Sequence, residues 1–213
     1  MYYLCKKKHM EYCELSKESL LTKLPNFVYV GEDKKGLNVV IAGGAIRDSL
    51  FGDDYSDIDI FGLTKEGLDL FVKLNLSKSQ GYKMVYFNEN LRTYRKGKIK
   101  VQIIYREYEK LTDIIDSFDF TVCQFMYDGE KVICNPSGLL DVYHKRIVIN
   151  HLEPLFVFDS LRRVQKYIQK GYTICNGGIK DILDKCRGLT QEQYDENVEF
   201  YPNTNEYRII RFD

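Results

Sequence analysis

The stretch from Asn38 to Phe61 constrains this chain more than any other. Asn38-Val39-Val40-Ile41-Ala42 is a short apolar run stopped by Gly43-Gly44, the pattern of a buried strand feeding a tight turn. Residues 45–51 can then form two helical turns, closed by Gly52. Asp57-Ile58-Asp59-Ile60-Phe61 follows, alternating carboxylate with apolar residue, which reads as a strand with one buried and one polar face. On a strand, side chains at i and i+2 project from the same face, so Asp57 and Asp59 stand close enough to share divalent cations while Ile58 and Ile60 anchor the strand. Such oxygen ligands suit magnesium or manganese, which prefer carboxylates, water and substrate phosphates to a full protein cage. A metal-bound nucleoside triphosphate is the natural occupant.

An isolated Asp-x-Asp is most often a solvated strand edge, and the context decides here. Upstream, a strand ends in Gly43-Gly44 and a short helix begins, so free backbone N–H groups and the helix dipole point beyond the turn, a geometry that holds phosphate. Arg47, one helical turn in, can add a fork of donors to a phosphate oxygen. Asp48 is read as a local cap or ion-pair partner.

Gly43-Gly44, twelve intervening residues and Asp57-x-Asp59 together resemble the defining motif of polymerase-beta-type nucleotidyltransferases. In detail, Ala42-Gly43-Gly44-Ala45-Ile46-Arg47-Asp48-Ser49-Leu50 and Asp57-Ile58-Asp59 are similar to the head-domain motif of bacterial-type CCA-adding enzymes and poly(A) polymerases. Phe118-Asp119-Phe120-Thr121 resembles that group's second motif, an Arg-Arg-Asp-Phe-Thr run whose Arg-Asp pair contacts the nucleotide sugar; Ser117 and Phe118 replace the arginines, so Asp119 is the residue carried over. Asn135-Pro136-Ser137-Gly138-Leu139-Leu140-Asp141 looks like the segment that closes the head. A neck motif whose Asp and Arg select the base admits two registers, one on Asp159-Ser160-Leu161-Arg162 and one on Glu153-Pro154-Leu155. The first makes Arg162 a nucleotide contact.

The resemblance implies an α+β head, a mixed sheet flanked by helices, over residues 1–150, and a short helical neck over 151–213. It implies a nucleotidyltransferase using Mg2+ or Mn2+ on Asp57 and Asp59, with Gly43, Gly44, Arg47, Asp119 and Arg162 on an NTP such as ATP. The implied acceptor is a transfer-RNA-like RNA 3′ end.

The residues themselves fill in the remaining elements. Residues 10–23 carry a helical pattern ended by Pro25, 65–74 a second helix, 82–104 a three-stranded meander and 111–118 a helix. Residues 121–127 fit strand or helix, and Asp128-Gly129 turns into the strand 131–134. From Glu153 onward Leu155, Phe158, Leu161, Val164 and Ile168 recur at helical spacing. A third carboxylate often completes such sites, yet the polar positions of Lys100-Val101-Gln102-Ile103 are Lys and Gln. Arg92, Arg95, Lys96, Lys98 and Lys100 form a basic cluster that is either a solvated turn or a grip on nucleic acid or triphosphate.

Lys plus Arg equals Asp plus Glu at 31 each, so no global field draws the chain to nucleic acid and any phosphate contact has to be local. The six cysteines lack zinc-ligand spacing and read as reduced thiols of a cytoplasmic protein. No apolar run approaches the roughly 20 residues that span a bilayer, and no signal-peptide core is present. Neutral charge and modest length leave open a protein or small-molecule acceptor, and a noncatalytic binding module.

Overall fold

A computed structural model of the chain describes residues 12–27 and 37–199. The glycine turn and its flanks form as their pattern dictates. Strand β1 (Cys13–Ser16) is followed by β2 (Val39–Ala42), α1 (Gly44–Phe51), β3 (Ile58–Gly62) and α2 (Lys65–Asn75). Thr64 caps α2 by accepting a hydrogen bond from the Gly67 N–H at 3.1 Å. The meander is β4 (Lys83–Phe87), β5 (Leu91–Lys96) and β6 (Ile99–Ile104), and it leads into α3 (Leu111–Asp116). A single 3-10 turn at Thr121–Cys123 precedes β7 (Phe125–Tyr127), so both readings of 121–127 hold in turn. Then come β8 (Lys131–Cys134), α4 (Pro136–Tyr143), β9 (Arg146–Ile147), α5 (Val157–Gln169), β10 (Thr173–Ile174), α6 (Asn176–Arg187) and α7 (Gln191–Glu199).

Eight strands form one mixed sheet in the order β1-β8-β7-β2-β3-β6-β5-β4, with β3 and β6 parallel and the other neighbours antiparallel. This is the expected α+β architecture. The central strand β2 is buried on both faces, which is why it reads as an unbroken apolar run. Val39 and Ile41 join the larger core with Ile46, Ile58, Ile60, Phe71, Ile103 and Phe125. Val40 and Ala42 face the other way and pack with Phe61, Met126 and the α3 residues Leu111, Ile114 and Ile115. The larger core continues into α5 and α6 through Val157, Val164, Tyr167, Tyr172 and Ile182. Among the described residues no helix is long and apolar enough to cross a membrane.

Two local expectations are corrected. Residues 10 and 11 lie outside the described residues, but Cys13–Ser16 is a strand and Lys17–Ser19 one 3-10 turn, where a helix is expected. Pairing decides it: Cys13 to Ser16 align antiparallel with Cys134 to Lys131, a partner more than a hundred residues away. Helix α5 forms, but it buries Val157, Ser160, Val164 and Tyr167 and leaves Leu161 and Ile168 exposed. Tyr167 turns the helix, because its ring packs edge-on against Phe120 and Tyr172 and its hydroxyl meets a buried guanidinium.

Candidate active site

Register brings the glycine turn to the carboxylates. Ala42 on β2 pairs with Asp59 on β3, so the chain enters Gly43-Gly44 directly beside Asp59. Gly43 has φ 86° and ψ −142°, a conformation open to glycine alone without strain. A Cβ there would lie 3.4 Å from the Phe118 ring and 3.8 Å from Asp59 Oδ2. The Gly43 N–H donates to the Phe125 carbonyl at 2.8 Å, tying the turn to β7. Helix α1 starts at Gly44, so its first N–H groups, which no preceding helical turn can satisfy, lie at this corner.

The two carboxylates stand on the face shared with Phe61 and α3. Burial, then repulsion from Asp57, pushes the Asp59 carboxyl up to about 7, against the opposing pull of Lys100, Arg163 and Lys166. Lys100 Nζ lies 3.3 Å from Asp57 Oδ2. Gln102 stands opposite Asp59 in the parallel β3–β6 register. In the amide orientation that satisfies both ends of its side chain, its nitrogen donates to Asp57 Oδ2 at 3.0 Å and to Asp59 Oδ1 at 3.3 Å. Two hard oxygen donors that repel each other fit a divalent cation. Among the described residues no group of three or more His, Cys, Asp or Glu side chains could hold a metal by itself, so phosphate oxygens and water have to supply the remaining ligands.

Arg47 lies next to the turn but faces inward. It is 3% exposed, donates from Nη1 to the Tyr167 hydroxyl at 2.7 Å and to the Val122 carbonyl at 3.4 Å, and pairs with Asp48 at 2.6 Å. It braces the turn against α5 rather than offering a free fork beside it. Asp48 pairs with Lys170 as well, at 3.3 Å.

Asp119 is buried; its Oδ2 accepts from Arg163 Nη1 at 2.7 Å and from the Ser160 hydroxyl at 3.1 Å, while Oδ1 has no partner among the described residues. An arginine beside Asp119 is therefore present after all, supplied by α5 instead of by the preceding residues. Phe118 occupies the vacated position and packs edge-on against Phe61, over Gly43. Arg162, the expected neck contact, pairs with Asp159 one turn back at 2.7 Å; the α5 cations whose field reaches Asp59 are Arg163 and Lys166.

Sequence reasoning thus missed Lys100, Gln102, Arg163 and Lys166 as neighbours of the pair. The alternation at Lys100 and Gln102 is readable, but only the β3–β6 register shows which carboxylates they meet.

Residues 4–153 match the model of the Gabija anti-defense 2 family. The chain is 28% identical over 176 residues to Gabija anti-defense 2 of Bacillus phage SPbetaL7, and spans 44% of that relative's length. Among solved structures, the Thermotoga maritima CCA-adding enzyme complexed with tRNA is similar at TM-score 0.53 and 20% identity, over 76% of this chain and 43% of that one. A CCA-adding enzyme with CTP (TM-score 0.52, 22% identity, 76% of this chain and 42% of that one) shares the fold as well. So does a tRNA-processing enzyme with CTP (TM-score 0.52, 21% identity, 80% and 53%).

Proposed function

Because the chain belongs to the Gabija anti-defense 2 family, we propose that it counters that defence as a metal-dependent nucleotidyltransferase, moving a nucleoside monophosphate from an NTP to an acceptor hydroxyl. The observation that carries the chemistry is the placement of Asp59 against the Gly43 turn, with Asp57 one pleat away on the same face. None of these residue types is needed there for a core.

In this reading the amides at Gly43 and Gly44 hold the triphosphate, and Asp57 and Asp59 hold Mg2+ or Mn2+. The metal, when bound, supplies neutralisation of the phosphates and a lowered pKa for the acceptor hydroxyl. Asp119, through its unpartnered Oδ1, takes a sugar hydroxyl and is itself steadied by Arg163. Arg47 positions the turn; Arg162 contributes on the base side of α5. The acceptor oxygen bonds to the α-phosphorus, the bond to the β-phosphate's bridging oxygen breaks, and pyrophosphate leaves. Residues 1–150 serve as the catalytic head and 151–213 as its neck.

The acceptor in this proposal is an RNA 3′ end, supported by the fold shared with tRNA-bound enzymes. The family's name favours a second reading, in which the acceptor is a component of the Gabija system itself. Incubating the protein with each labelled NTP, Mg2+ or Mn2+, total RNA and lysate tests both, with Asp57→Ala alongside. Label on a discrete RNA, reduced about a thousandfold or more in the variant, supports the first reading. Label confined to protein selects the second. Equal labelling by Asp57→Ala would sink the mechanism, and no labelling at all would leave a noncatalytic binding module.

A further inference from the structure

Strand register lines up three cations beside the carboxylates. Lys100 on β6 meets Asp57, Lys100 pairs across the sheet with Arg95 on β5, and Arg95 pairs in turn with Lys83 on β4. Paired residues share a face, so Asp57, Lys100, Arg95 and Lys83 form one straight row from the site to the sheet edge. Strands lie about 4.8 Å apart, which carries the row about 14 Å from β3. Lys83 and Arg95 are exposed and have no ion pair among the described residues, and the Lys100 side chain is 32% exposed.

Like charges directly opposite one another destabilise a sheet, so this row works against the fold. Edge protection explains a lysine on β4, but not Arg95 and Lys100 on interior strands. Composition agrees: residues 82–104 hold six Lys or Arg and one Glu in a chain that is otherwise net acidic. The neighbouring row on the same face, Gln102, Thr93 and Tyr86, ends in an aromatic ring that is 52% exposed and available for stacking. The glycine turn sits on the β2 side of the carboxylates and the cations on the β6 side. A triphosphate held at the turn therefore leaves the row to a different anion.

We propose that Lys100, Arg95 and Lys83 form the track for the backbone phosphates of a single-stranded RNA acceptor, delivering its 3′ hydroxyl to Asp57 and Asp59 from the side opposite the triphosphate. This rests on the nucleotidyltransferase reading for its purpose, but the track is testable without turnover.

The test is fluorescence anisotropy of a 5′-labelled single-stranded RNA oligonucleotide in EDTA, across a salt series, for the parent, Lys83→Gln/Arg95→Gln and the remote Lys73→Gln. Each cation on a single strand contributes about 0.7 to the log–log salt slope. The double variant is therefore expected to lower the slope by about 1.4 and to bind about 25-fold more weakly at 0.1 M salt, while Lys73→Gln matches the parent. Its circular dichroism and affinity for Mg-ATP should be unchanged. Parent-like RNA binding in the double variant overturns the track, as does a parent that binds no RNA. A parallel loss of Mg-ATP affinity overturns it too, by assigning the row to the triphosphate. If Asp57→Ala still transfers nucleotide while the double variant loses RNA, the chemistry fails and the track stands.

Discussion

Tyr167→Phe isolates the contact that ties the glycine turn to α5. The Tyr167 hydroxyl accepts from Arg47 Nη1 at 2.7 Å and lies 3.0 Å from Cys123 Sγ. Phenylalanine keeps the ring, its edge-on packing on Phe120 and Tyr172, and the Arg47 guanidinium stacked 5.1 Å from its centroid. What is lost is one acceptor for a buried cation, with no space freed for a replacement. Hydrogen bonds to charged groups contribute about 1.5–3 kcal/mol, so the expected destabilisation is about 2 kcal/mol. For a chain of this size that corresponds to a Tm about 4–8 °C lower. Denaturant unfolding reads it as a shift in midpoint at unchanged slope. Arg47→Met combined with Tyr167→Phe should be clearly non-additive, with a coupling of about 1–2 kcal/mol. A change below about 0.5 kcal/mol, or strict additivity, would refute the claim that Tyr167 holds Arg47 in place.

The remaining expectations concern the carboxylates. Burial and Asp57 hold the Asp59 carboxyl up to about 7 in the metal-free protein, so the folded state binds a proton more tightly than the unfolded chain. Asp59 therefore contributes stability that is full below about pH 4 and is lost as pH rises to 7. Unfolding titrations from pH 5 to 8 should show Asp59→Asn gaining on the parent toward pH 8; an equal pH dependence in both would dispose of the raised carboxyl. Gln102→Glu places a third carboxylate opposite Asp59 and is expected to tighten Mn2+ binding about tenfold by calorimetry, while lowering metal-free stability at neutral pH. Unchanged affinity would show that Gln102 lies outside the metal's reach.

What could be read from the sequence was local. β2, the glycine turn, α1 and β3 follow from a change in hydrophobic period within about two dozen residues, and each has the backbone its pattern requires. Cys13–Ser16 was not readable because its strand exists only through pairing with β8. Lys100 and Gln102 were visible as polar positions of the wrong type for metal, and only the parallel crossover gives them Asp57 and Asp59 as neighbours. Arg47 was recognised, but not its inward turn, since Tyr167 arrives 120 residues later. Arg163 was overlooked beside Arg162, because which of two adjacent helical arginines faces Asp119 depends on the rotation of α5, and Tyr167 sets that.

Helix α5 has a genealogical consequence. It lends Arg163 to Asp119 and Tyr167 to Arg47, so the half of the protein that displays the recognisable motif does not own all of its working parts. A recombination junction between α4 and α5 would pass on the glycine turn and both aspartates intact while orphaning a buried carboxylate and a buried guanidinium at once. Descendants that exchange whatever lies beyond the neck should therefore be found spliced after α5, never before it.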